Sequence, residues 1–185
     1  MKLLVVGSGT MGTGIAQVAA ENGITVLIND HDVVRLQAAQ ANIGKLLDKK
    51  VKKGKLTEEG KKDALDRIFP INDLKLATKQ ANFVIEAIFE NLEAKLSLYK
   101  ELEQVGKPEL IIASNTSTIS ITKMAKELQR PANFVGMHFF SPVPAMRLVE
   151  VIKGEQTSET TLKAALEMAK KLGKTPITVT DVPGF

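Results

Sequence analysis

Two apolar runs each carry one residue that could move a proton. His138 stands near the end of Phe134-Val135-Gly136-Met137-His138-Phe139-Phe140, and Glu150 sits in the middle of Leu148-Val149-Glu150-Val151-Ile152. A histidine at the carboxyl end of a strand can serve as general base near neutral pH, and a buried carboxylate can fix its tautomer and stabilise the imidazolium. Burying an acid without a partner is costly, so Glu150 needs one. The same two residues also fit a satisfied core histidine beside an unrelated edge carboxylate, and spacing alone does not separate the readings. A further polar cluster, Ser114-Asn115-Thr116-Ser117, follows the apolar Leu110-Ile111-Ile112-Ala113. Its hydroxyl and amide groups suit a ligand or, equally, a helix cap.

The other chemistry lies at the N-terminus, where Gly7-Ser8-Gly9-Thr10-Met11-Gly12 separates the apolar run Leu3 to Val6 from a helix-compatible stretch. In a Gly-x-Gly-x-x-Gly turn the first glycine permits the tight turn. The second lets backbone approach a pyrophosphate, and the third allows close packing of helix on strand. The helix N-terminus then offers unpaired N–H donors to the phosphates. A second apolar run, Ile24 to Ile28, ends at Asp30, 18 residues past Gly12, the place of a ribose-binding carboxylate. Such a carboxylate accepts hydrogen bonds from a ribose diol and repels a 2′-phosphate, so NAD rather than NADP is expected.

The alternation of apolar runs with amphipathic stretches predicts that an α/β fold holds these residues. It is of the Rossmann type, a doubly wound, mostly parallel sheet. After Asp30 a polar helix is expected from about Asp32 to Lys53, with Val33, Leu36, Ile43, Leu46, Leu47 and Val51 as its apolar stripe. Thr57 caps a second helix to about Ile68, making a hairpin at about 32–68 that projects from the sheet. Phe69-Pro70-Ile71 and Asn82 to Ile88 read as strands, Leu92 to Gln104 and Ile121 to Leu128 as helices. A helix capped by Thr157 or Ser158 and a strand from Thr175 to Thr180 complete the pattern. Gly9, Asp30, Glu90 and Asn115 all then fall beyond the carboxyl ends of strands, where open α/β sheets bind ligands.

Composition bounds the function. The 185 residues suffice for one well-cored domain, and 44% hydrophobic with 25% charged is ordinary for a globular protein. No apolar run approaches the ~18 residues of a membrane span, and Leu3 to Val6 is shorter than the ~7 to 15 of a signal-peptide core. A cytoplasmic location without a membrane partner is expected. With no cysteine, disulfides, thiolate zinc sites and thiol nucleophiles are excluded, and no metal site is expected. The net charge of +4 is local: residues 45–62 hold eight lysines against three acids, leaving the remainder at −1. One basic segment argues for a solvated helix face or a site for an anionic ligand rather than for nucleic acid.

Taken together, the glycine turn through Ile15-Ala16, Ser114-Asn115-Thr116-Ser117, His138-Phe139-Phe140-Ser141-Pro142 with Leu148 to Ile152, and the terminal Asp181-Val182-Pro183-Gly184-Phe185 resemble the NAD-binding domain of L-3-hydroxyacyl-CoA dehydrogenases, of the bacterial 3-hydroxybutyryl-CoA type. The likeness covers the whole chain, 1–185. It implies reversible NAD-dependent oxidation of an L-3-hydroxyacyl-CoA to the 3-oxoacyl-CoA, in fatty acid or butanoate metabolism. It implies His138 as catalytic base, Glu150 as its orienting partner and Ser117 as hydrogen-bond donor to the substrate oxygen. Glu90, Lys95 and Asn115 would lie at the nicotinamide end of NAD, with Asp30 on the adenosine ribose. The basic hairpin around Lys53 would meet the CoA phosphates, although Leu46 stands where some relatives have a serine. The family continues past Pro-Gly-Phe into a helical domain that supplies dimer contacts. The resemblance therefore implies that this chain is the cofactor-binding part of a longer homodimeric enzyme. A non-catalytic NAD-binding module and a related dehydrogenase acting on a sugar acid are the alternatives.

Overall fold

The unbroken apolar run near the N-terminus becomes the central strand β1 (Lys2–Val6) of the computed structural model, which describes residues 1–182. Pro183-Gly184-Phe185 of the terminal motif lies outside the described residues. Leu3, Leu4 and Val5 are fully buried because helices cover both faces of the sheet, which is why no polar residue interrupts them.

In chain order, β1 is followed by α1 (Thr10–Glu21), β2 (Thr25–Asn29), α2 (Val33–Lys52), α3 (Glu58–Leu65), β3 (Ile68–Pro70), α4 (Leu74–Gln80) and β4 (Phe83–Glu86). Then come α5 (Leu92–Val105), β5 (Ile111–Ser114), α6 (Ile121–Ala125), β6 (Phe134–Phe139), β7 (Leu148–Lys153), α7 (Glu159–Lys171) and β8 (Thr175–Thr180). The eight strands form one sheet in the order β3-β2-β1-β4-β5-β6-β7-β8. All neighbours are parallel except β6 and β7. The order reverses between β1 and β4, and such a switch point opens a crevice at the carboxyl ends of the strands. Helices α1, α2, α3 and α7 pack over one face, and α4, α5 and α6 over the other.

The expected doubly wound, mostly parallel sheet is therefore present. Its details differ from the sequence reading where local signals were weak. Helix α4 was not expected: Leu74 to Gln80 is short, and only Asp73, whose carboxylate accepts from Leu76 N–H, marks its start. Helix α3 ends at Leu65 and β3 begins at Ile68, one residue earlier than anticipated. Ser158, not Thr157, caps α7, because the Thr157 hydroxyl is spent on the Phe134 carbonyl at 2.7 Å. Val33 faces solvent, so the buried stripe of α2 is Leu36, Ala39, Ile43 and Leu47, packed into the same core as Ile15 and Ala19.

Candidate active site at the carboxyl ends of the strands

The glycine turn ends β1 and starts α1. Gly7 has φ +101°, a left-handed conformation, and a Cβ there would lie 2.5 Å from the Ala87 carbonyl oxygen. A Cβ on Gly12 would come within 1.8 Å of the Gly7 oxygen. Both positions exclude a side chain, so β1, α1 and the end of β4 are drawn together. Six of the seven α-helices among the described residues have an N-cap side chain that accepts from the first turn: Asp32, Thr57, Asp73, Asn91, Ser120 and Ser158. Helix α1 alone, capped by Gly9, has none. Its first-turn donors open on a cleft of about 570 Å³ lined by Gly7, Gly9, Thr10, Met11, Asp30 and Ile88, among others. That volume suits a small-molecule or cofactor site, and uncapped donors at its floor suit phosphate oxygens.

Asp30 stands at the end of β2. Its carboxylate accepts from Ser8 N–H at 2.9 Å and the Ser8 hydroxyl at 2.7 Å on one oxygen, and from Asp32 N–H at 3.0 Å on the other. Burial acts to raise its pKa, but the Asp32 and Ser8 hydrogen bonds and the nearby His31 outweigh it, leaving the group below its ordinary value and anionic. The glycine cradle, the uncapped helix and an anionic carboxylate beside them fit a dinucleotide.

Between this cleft and β6 lies a buried polar cluster. Glu86, fully buried at the end of β4, accepts from Lys95 Nζ at 2.6 Å, Ile88 N–H at 2.8 Å, the Ser114 hydroxyl at 2.8 Å and the Tyr99 hydroxyl. Burial and the Glu86 charge push the Tyr99 pKa well above its usual value, so it remains a neutral donor. Lys95 is only 1% exposed, and its ammonium reaches Glu90 as well, at 3.2 Å. Glu90, 38% exposed, accepts from the Thr116 hydroxyl and, at 3.0 Å, from that of Thr118. Burial would raise the Glu90 pKa, yet Thr116, Lys95 and Thr118 together lower it. Sequence reasoning missed Glu86. The signal was available, since Glu86, like Glu150, is an acid in an otherwise apolar strand.

His138 and Glu150 are directly opposed residues of the antiparallel β6–β7 pair, and His138 Nδ1 lies 2.8 Å from Glu150 Oε2. Both are largely buried, and the His138 ring stacks at a tilt on Phe140, with centroids 4.6 Å apart. Asn115, at the end of β5, accepts from Phe139 N–H at 2.9 Å through its side-chain oxygen, tying β5 to β6 beside the histidine. Ser117 is exposed in the loop that follows. Ser120, rather than the Ser114 to Ser117 cluster, caps α6. Glu90, Lys95, Asn115, Ser117, His138 and Glu150 thus come from β4, α5, β5, β6 and β7 to one end of the sheet.

The basic hairpin is less uniform than its composition suggests. Lys50 pairs with Glu21 of α1, Lys61 with Asp48 at 2.5 Å, and Lys62 with Asp66 at 2.6 Å. Lys45, Lys49, Lys52, Lys53 and Lys55 are exposed and form no ion pair within 4 Å among the described residues, with Lys52 acting on Asp48 from farther away. These five carry the local positive excess.

The chain is similar to known proteins over nearly its whole length. The family described as 3-hydroxyacyl-CoA dehydrogenase, NAD binding domain, matches residues 2–182. A probable 3-hydroxybutyryl-CoA dehydrogenase of Deinococcus radiodurans is 49% identical over 185 residues, all of this chain and 66% of the relative. The fatty acid oxidation complex subunit alpha of Psychrobacter cryohalolentis is 46% identical over 98% of the chain and 25% of its own length. The crystal structure of (S)-3-hydroxybutyryl-CoA dehydrogenase from Ralstonia eutropha superposes with a TM-score of 0.97 at 46% identity, covering 100% of the chain and 65% of that structure. The chain thus spans about two thirds of the first of these relatives and a quarter of the second.

Proposed function

The chain belongs to the 3-hydroxyacyl-CoA dehydrogenase family as its NAD-binding domain, and from that premise we propose that it is the cofactor half of an enzyme that reversibly oxidises an L-3-hydroxyacyl-CoA to the 3-oxoacyl-CoA. The single observation that carries this reading is the His138–Glu150 pair at 2.8 Å, one strand beyond the Asn115 loop.

NAD, when bound, supplies the acceptor for the hydride that leaves C3 of the substrate. The glycine loop and the first turn of α1 would hold its pyrophosphate and Asp30 its adenosine ribose. Because the order β2-β1-β4-β5-β6 runs from Asp30 across Gly9 to His138, Glu90 and Asn115 would border the nicotinamide half. Lys95, enclosed between two carboxylates, would act there through Glu90. A carboxylate only accepts, so the Glu150 contact puts the proton of neutral His138 on Nδ1 and makes Nε2 the base. Nε2 would take the proton of the 3-hydroxyl, and the Glu150 charge would stabilise the imidazolium that results. Ser117 would donate to the same oxygen, and Lys53 with its exposed neighbours would meet the CoA phosphates.

The reading extends to a cytoplasmic enzyme that works as a homodimer through a helical domain adjoining this one. Light scattering on the protein at its native length tests the dimer. Chemistry is tested by comparing (S)-3-hydroxybutyryl-CoA with free 3-hydroxybutyrate as reductant of NAD. Turnover of the thioester with little or none of the free acid is expected. Equal turnover of both would remove the reason for a basic hairpin, and none with either would leave only a cofactor-binding module.

A further inference from the structure

The cluster between the glycine loop and the histidine is unbalanced in charge. Glu86 and Glu90 share the one ammonium of Lys95, at 2.6 and 3.2 Å, leaving a net charge of −1. No other cation lies within 4 Å of either carboxylate among the described residues. The burial differs too: Glu86 and Lys95 are enclosed, whereas Glu90 is the partly exposed member. The excess negative charge therefore faces outward at Glu90.

Its position follows from a chain of contacts. The Gly7 backbone abuts Ala87 at the end of β4, Glu90 reaches across to Thr116 and Thr118 after β5, and Asn115 holds Phe139 of β6. A dinucleotide with its ribose at Asp30 and its pyrophosphate at Gly9 would extend its reacting ring across the sheet toward His138, past the end of β4 that carries Glu90. That ring bears a positive charge when oxidised and none when reduced. An anion fixed near that ring attracts the first form and not the second.

Resting on the NAD reading above, we propose that Glu90, aimed by its contacts with Lys95, Thr116 and Thr118, sets the protein's preference between oxidised and reduced cofactor. The requirement that the charge be fixed explains why one carboxylate needs three side-chain partners from two elements. Glu86 serves as the counterweight that holds Lys95 in place, with Tyr99 and Ser114 satisfying its second oxygen.

The test measures dissociation constants for NAD⁺ and NADH separately, without acyl-CoA, on the protein at its native length and on Glu90→Gln and Glu90→Asp. Glutamine keeps the size and removes the charge. The ratio of the NAD⁺ to the NADH constant is expected to rise by roughly threefold to tenfold in Glu90→Gln, discounted for the exposure of the group. It should stay near the parent value in Glu90→Asp, and the difference should narrow as salt is added. A structural role would weaken both forms in proportion, and an unchanged ratio in Glu90→Gln would overturn the proposal while leaving the NAD assignment intact. If the parent protein binds neither form, the cofactor reading fails and this inference fails with it.

Discussion

At the residue scale, the proposed chemistry depends on His138 being held in one tautomer by Glu150, whose Oε2 lies 2.8 Å from Nδ1. Glu150 is directly across a strand pair, so backbone pairing sets the contact before any side-chain choice is made. Glu150→Gln keeps the shape but presents a neutral amide to Nδ1, which no longer stabilises imidazolium. Turnover should fall by about 10- to 100-fold, with the NADH dissociation constant unchanged, as steady-state kinetics and cofactor fluorescence would show. An equal loss of cofactor binding would mean that the residue only props the sheet. The sequence flagged this pair because an acid in an apolar strand is costly. Glu86 is equally an acid in an apolar strand, but its partners Lys95 and Tyr99 lie one turn apart on α5 and are brought to it only by the packing of that helix on the sheet. A chain read linearly shows the cost of burying such an acid more readily than the partner that offsets it.

At the scale of elements, the doubly wound sheet was legible because buried parallel strands must be continuously apolar. The βα alternation and the glycine turn had little competition from other folds. What the sequence concealed were features decided by tertiary contact: the seven-residue α4, the solvent-facing Val33, and the division of labour within the Lys-rich hairpin. Composition treats the eight lysines alike, whereas Lys50 reaches back to Glu21 and so fastens the hairpin to α1. Two variants separate the roles. Reversing Lys49 and Lys53 to glutamate should raise KM for acyl-CoA, leave that for NADH unchanged and lose its effect as salt is raised. Lys50→Met should instead lower stability by about 1 kcal/mol, since the largely buried Glu21 then keeps only the Gln17 amide and the more distant Lys174, with little salt-dependent change in KM. If Lys50→Met mimics the charge reversal in KM while melting unchanged, the division is wrong.

At the scale of the whole molecule, three carboxylates tie distant segments together. Asp30 binds the glycine loop, Glu90 the loop after β5, and Asp181 the start of α6 through Ser120 Oγ at 2.8 Å, Ile121 N–H at 3.0 Å and Thr122 N–H at 2.7 Å. Burial opposes ionisation of Asp181, but Thr122, Ser120 and Ile121 outweigh it, and all three groups end with lowered pKa values. Stability from such groups is complete above the ordinary carboxylate pKa and is lost as pH falls through the lowered folded value. The fold should therefore weaken below about pH 4, and Asp181→Asn should melt with a flatter dependence on pH there. An unaltered slope would deny Asp181 that role. No helix among the described residues is long and apolar enough to cross a membrane. The central claim, that the sheet exists to bring a cofactor cleft against a catalytic histidine, is tested most directly by His138→Ala at native length. Oxidation of NADH by acetoacetyl-CoA should fall by roughly 10² to 10⁴, with NADH affinity and melting temperature near those of the parent. Undiminished turnover in that variant would contradict the account.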